Sequence, residues 1–236
     1  MRTANSLRRH LAELVVVFVG VAAAFAVENL RESLNERAVG DQYLSGFRQD
    51  LTADLAMLQE QQEARRAQLD DALVVLEFFE GRAIDPQRFF EAYYTMLRTL
   101  NTVPNHNTME EVLSSGSLRL IRDARIRGAL LDLYATYDRI ARLEEHMDRD
   151  FDSYLYDPTF SSIPFRVEGS WDNTAANRKS VETLLRDVRI ENGVRLVVAN
   201  LKYPGTGLLD ELESVRSQVE HLLEMISTEE AGRTRP

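Results

Sequence analysis

The side chains with chemistry to offer are few and scattered. The four histidines are His10, His106, His146 and His221. No two of them lie at the short spacing of a local metal pair. His106 and Glu110 would sit one turn apart if a helix began early, which gives a single pair and no ligand set. Glu144, Glu145, His146, Asp148 and Asp150 form an acidic cluster that could attract a divalent cation. A solvated helix face is its simpler reading. The paired Glu-x-x-His motifs of a di-iron bundle are missing. No cysteine is present, which excludes disulfides, thiol catalysis and Cys-based zinc or iron–sulfur sites. GxxxxGK[ST], HExxH, GxSxG and EF-hand strings are also absent. The expectation is a protein that is not an enzyme, with no catalytic residues, no cofactor and no metal.

One carboxylate stands apart. Glu13 lies inside Leu11 to Val27 (LAELVVVFVGVAAAFAV), an otherwise wholly apolar run. At ~1.5 Å rise per residue the run is ~26 Å long, close to the ~30 Å hydrocarbon core of a bilayer. It reads as an N-terminal transmembrane helix. The rival is a cleaved signal peptide, with Leu14 to Val27 as its apolar core and Ala24-Phe25-Ala26 as the cleavage site. Glu13 and the helix-forming continuation Glu28-Asn29-Leu30-Arg31-Glu32 favour a retained anchor. Arg2, Arg8 and Arg9 precede the run, which places the N-terminus in the cytoplasm and the remainder in the periplasm. Glu13 either snorkels to the headgroups or faces a neighbouring helix or an ion path. Gly20 and Ala24 are a small-xxx-small pair suited to close helix approach. Glu13, Gly20 and Ala24 are therefore the candidate membrane or oligomer contacts.

The chain has 236 residues and a net charge of −10, from 38 acidic and 28 basic side chains. That balance disfavours a nucleic-acid partner, which needs a basic face. Beyond the anchor, about 200 residues remain, enough for one domain with a real core.

The elements follow from periodicity. Residues 1–10 form a short cytoplasmic start, 11–27 the span and 28–40 a helical stalk, with Gly40 a possible kink. The exported helical domain covers 41–228 and a flexible tail 229–236. From Asp41 to Phe79, Leu44, Phe47, Leu51, Leu55 and Leu58 advance by three or four. The stepping then meets Gln62 and Arg65 and recovers at Leu69, Ala72 and Leu76. This is a coiled-coil-like seam with a polar gap, expected to pack within its own domain, the alternative being a seam between subunits. Glu60 to Arg66 reads as a solvated face. Gly81 ends the helix, and Asp85-Pro86 starts another whose face is Phe89, Phe90, Tyr93, Tyr94 and Leu97.

Asn101 to Asn107 is a turn, followed by a short helix, Met109 to Ser115, stopped by Gly116. A long helix from Asp123 to about Tyr156 buries Ile126, Leu130, Leu133, Tyr134, Tyr137, Ile140 and Leu143. Asp157 to Arg178 reads as irregular. Phe160, Phe165 and Trp171 lie within it and are the candidate partner surface. Lys179 to Asp187 is a short helix, and Val194 to Leu201 is a buried helix. Pro204-Gly205 breaks the chain before Leu208 to Ile226. The fold expected is all-α: an N-terminal transmembrane helix, then an antiparallel helical bundle with long coiled-coil-like helices.

The string Asn107-Thr108-Met109-Glu110-Glu111-Val112-Leu113-Ser114-Ser115-Gly116-Ser117-Leu118-Arg119-Leu120-Ile121, continued by Arg125-Ile126-Arg127, Leu130-Leu131 and Tyr134, resembles the central signature of DUF6090. That family comprises uncharacterised bacterial single-span membrane proteins. Glu13, the run into Glu28-Asn29-Leu30-Arg31-Glu32, Tyr43-Leu44, Asp50-Leu51 and Asp54-Leu55 are similar to its N-terminal half. The resemblance implies a retained anchor and a helical exported domain, and it brings no catalytic residues.

The leading expectation is a membrane-anchored periplasmic interaction or scaffold protein at the bacterial inner membrane. Its partners would be the bilayer and either further copies of itself or another protein. A ligand-sensing domain signalling through a partner and a subunit of a channel or transport complex are the alternatives.

Overall fold

A computed structural model describes the backbone of residues 2–164 and 170–233, with side chains from 18 to 164 and from 170 to 232. Its first element, α1 (Arg2–Phe79), is one helix of 78 residues. It has no boundary at the expected ends of span and stalk, nor at Gly40. Among the described residues no helix is long and apolar enough to cross a membrane. This overturns the expected transmembrane helix and the single-pass inner-membrane placement with a periplasmic domain. The Glu13 side chain lies outside the described residues.

The chain continues through α2 (Pro86–Met96), α3 (Asn107–Ser114), a 3₁₀ turn at Ser117–Leu120 and α4 (Ala124–Phe151). Then come a π-helical segment at Asp152–Tyr156, α5 (Asp157–Ser162), α6 (Ala175–Leu184), α7 (Val188–Lys202) and α8 (Leu208–Arg233). Among the described residues there is no strand, so the all-α expectation holds.

Several ends form where the residue types demand. Asp85, Asp123, Thr174 and Asp187 accept hydrogen bonds from the first-turn amides of α2, α4, α6 and α7. Gly116 takes φ of 66° after α3, the left-handed cap its position suggests. Two expectations fail. Asp157 to Arg178 is helical at both ends, because α4 runs on through the π segment into α5. There the Asp157 N–H bonds back to the Asp152 carbonyl, and Pro158, which has no N–H to give, follows directly. The tail expected to be flexible from 229 is helical as far as Arg233.

The C-terminal half of α1 packs against α2, α7 and α8, and α4 packs against α8. Arg48 meets Glu230 and Gln62 meets Glu213, so α1 and α8 are antiparallel. Asp54 meets Tyr137 and Arg65 meets Glu144, so α1 and α4 run parallel, which corrects a purely antiparallel bundle. Leu44, Phe47, Leu51, Leu58 and Ala72 of the α1 seam are buried in the same core as Ile126, Leu130, Leu133 and Ile140 of α4 and Leu212, Val215, Val219 and Leu222 of α8. The seam is internal to the chain.

Gly40 does not break α1. It is buried where the Leu120 backbone crosses, and a Cβ there would strike the Leu120 carbonyl. Gly46 plays the same part beneath Thr108, whose Oγ1 would lie 2.8 Å from an added Cβ. Upstream of this crossing α1 stands clear of the body: residues 18–32 are all exposed.

Candidate functional site

Residues 97–106, between α2 and α3, form a strap without helix or strand of its own. Its peptide groups need partners from elsewhere. A row of polar side chains on α1, at 50, 54, 61, 65 and 68, supplies many of them, and α4 supplies more.

Gln68 donates to the carbonyls of Met96 at 2.7 Å and Arg98 at 3.0 Å, and Gln61 to that of Asn101 at 3.2 Å. Arg65 donates to the Leu100 carbonyl, to Gln68 Oε1 at 3.0 Å and to Glu144 Oε1 at 2.9 Å. Glu144 also accepts from the Thr102 amide at 2.8 Å and the Thr102 hydroxyl at 2.9 Å. Asp54 accepts from the Asn105 amide at 2.8 Å and from the Tyr137 hydroxyl at 3.0 Å. Tyr134 donates to the Asn105 carbonyl at 2.9 Å, and its ring lies 5.2 Å from that of His106. Asp50 accepts from the Thr108 amide at 3.0 Å. His106, the residue before α3, makes no side-chain cap. The carboxylate that caps α3 therefore comes from α1, where it also meets the positive end of the α3 dipole.

Burial sets the electrostatics. Arg65 and Glu144 form an ion pair with side chains only 2% and 4% exposed. Burial lowers the Arg65 pKa from its usual value, and Glu144 opposes that fall. Burial raises Asp54 above the ordinary carboxylate range. Its bonds to Asn105 and Tyr137 pull the other way, and Asp50 adds to the rise. Tyr137 is raised by burial and then by the Asp54 charge, so it stays a neutral donor. The cluster can thus hold the strap by its backbone.

The residues singled out from sequence are placed differently. Gly20 has nothing near it and Ala24 is exposed, both on the free part of α1. Trp171 stacks on Phe90 at 3.8 Å between ring centroids and lies 5.6 Å from the Tyr94 ring, fastening its segment to α2. Phe160 stacks on Tyr156 at 5.9 Å. Phe165 lies outside the described residues. Phe160 and Trp171 thus sit on different partners.

The acidic cluster on α4 is split. Glu144 turns inward to Arg65, Glu145 pairs with Arg149 at 2.9 Å, and His146 faces Asp150 at 3.7 Å. Among the described residues no three such side chains gather as a metal would require. His106 and Glu110 do not form a ligand pair from within one helix, because α3 begins at Asn107.

Sequence reasoning missed the clamp, although its signal was present. Gln62 and Arg65 interrupt an apolar seam, and both are buried, against the solvated face expected for Glu60 to Arg66. Asp50 meets Thr108 of the Asn107 string here, and Asp54 meets Asn105 just ahead of it. Compared with family models, curated proteins and solved structures, the chain matches none.

Proposed function

We propose that the protein is a non-enzymatic helical interaction module that self-associates through the free part of α1. The carrying observation is the exposure of Phe18, Val19, Val21, Phe25, Val27, Leu30 and Leu34, each at least half exposed on one unaccompanied helix. A helix without tertiary contacts gains nothing from packing. Contiguous apolar surface of this kind marks interaction sites in folded proteins. Gly20, Ala23, Val27, Leu30 and Leu34 recur in alternating steps of three and four, the spacing at which two helices pair along a seam. The clamped bundle then acts as a rigid head that sets the direction of α1.

Light scattering on the purified full chain, with crosslinking in cells, tests this reading. Assembly that is lost on Val27→Glu and Leu30→Glu substitution supports it. A strict monomer that crosslinks neither to itself nor to another protein would sink it.

A further inference from the structure

Asp50 and Asp54 lie one turn apart on α1, are 8% and 2% exposed, and aim at backbone amides, Asp54 at Asn105 in the strap and Asp50 at Thr108 in the first turn of α3. Among the described residues the partners of Asp54 are an amide and a phenol, neither of them a cation. The groups facing it are Asp50 on α1, His106 on the strap, and Tyr134 and Tyr137 on α4. At Asp54, burial and the Asp50 charge disfavour the carboxylate and outweigh its bonds to Asn105 and Tyr137. Lifting the strap would return Asp54 to water and relieve both.

We propose that the strap is a proton-linked latch, gripping α1 and α4 more tightly as the pH falls because its closed form holds a proton at Asp54. A carboxyl protonated on Oδ2 keeps both contacts. Oδ1 still accepts from Asn105, and Oδ2 donates to Tyr137 with the direction of that bond reversed. Burial raises Asp54 in the closed form relative to the open one. The closed form therefore binds the proton more tightly. Its gain is complete below the open-form pKa and is lost as pH rises through the closed-form pKa.

Amide exchange of the full chain, corrected for intrinsic rates, would be compared at about pH 4.5 and about pH 7. The reporters are the Asn105 and Thr108 amides, referred to those of Val215 and Val219 in α8. Their relative protection should rise several-fold, up to about tenfold for a one-unit difference in pKa, on acidification. Asp54→Asn should remove the pH dependence, since the amide oxygen still accepts from Asn105. His106→Gln should leave the rise intact. A flat or falling response in the wild-type chain would overturn the proposal. So would a rise that persists in Asp54→Asn or disappears in His106→Gln. Should Asp54→Asn fail to fold, the wild-type and His106→Gln responses decide the matter.

Discussion

Glu144 is the residue on which most of the clamp converges, since one carboxylate serves the Arg65 guanidinium and both donors of Thr102. Replacing it with alanine strands a buried cation beside two unmet donors. Breaking a buried pair from one side costs about 3–5 kcal/mol, and Glu144→Ala should lose that much in urea unfolding. Arg65→Met combined with Glu144→Leu should lose less than the two single changes together, with coupling of about 1 kcal/mol or more. Additive losses would mean that the pair does not act as a unit. Little of this was legible in the chain. Arg65 could be recognised as a polar break in an apolar seam. Its partner is 79 positions away, and no local pattern points from one to the other. Phe89, Phe90 and Tyr93 were legible as core because helical spacing alone puts them on one face, and they are fully buried.

The elements show two opposite uses of glycine inside a helix. Gly128 in α4 has nothing near a prospective Cβ, so Gly128→Ala should stabilise the protein by about 0.5–1 kcal/mol through helix propensity. Gly40→Ala gains the same propensity but collides with the Leu120 carbonyl, so thermal melts should show a net loss. Sequence alone reads both as weak points, because the difference lies in what crosses the helix. The helix starts carry the acid response. Its bonds to Arg125 and the first-turn amide lower Asp123 to about 2. Asp187 is lowered by its bonds to Arg189. A lowered carboxylate stabilises above its unfolded pKa, and the gain is lost as pH falls through the folded value. Asp123→Asn should therefore flatten the loss of stability between about pH 4 and about pH 2, and Asp187→Asn should flatten it below about pH 4, read from melting temperature against pH. Asp54 has the contrary sign and acts above about pH 4, so Asp54→Asn should remove a gain in stability that the wild-type chain makes as pH falls toward about 4. The starts of α2 and α4 were legible because Asp85 and Asp123 each stand directly before a helical run; that of α7 was not, since Asp187 reads as the end of the helix before it. The π segment was not, since it depends on α4 staying wound through Asp157-Pro158.

At the scale of the whole molecule, α1 belongs to two regimes. Its C-terminal half is the spine of the bundle, with Leu44, Phe47, Leu51 and Leu58 buried. Its free part shows apolar side chains to solvent and, among the described residues, contributes no core residue before Gly40. Apolarity alone could not separate the two, because Phe18 to Val27 is richer in apolar side chains than the seam that packs. What separates them is whether the rest of the chain supplies a complementary face, and only the tertiary structure holds that information. Deleting residues 1–35 removes no buried contact in the described part and keeps Glu36, which pairs with Arg119. The shortened chain should unfold within about 0.5 kcal/mol of the full one, as changes away from the core do. Trp171, stacked on Phe90, should report the same cooperative transition in fluorescence as helix content does in circular dichroism. If self-association runs through the free helix, the same deletion should leave a monomer in light scattering at concentrations where the full chain assembles. A shortened chain that still assembles would place the contact on the bundle, and one that no longer folds would show that the free helix stabilises the body it leaves.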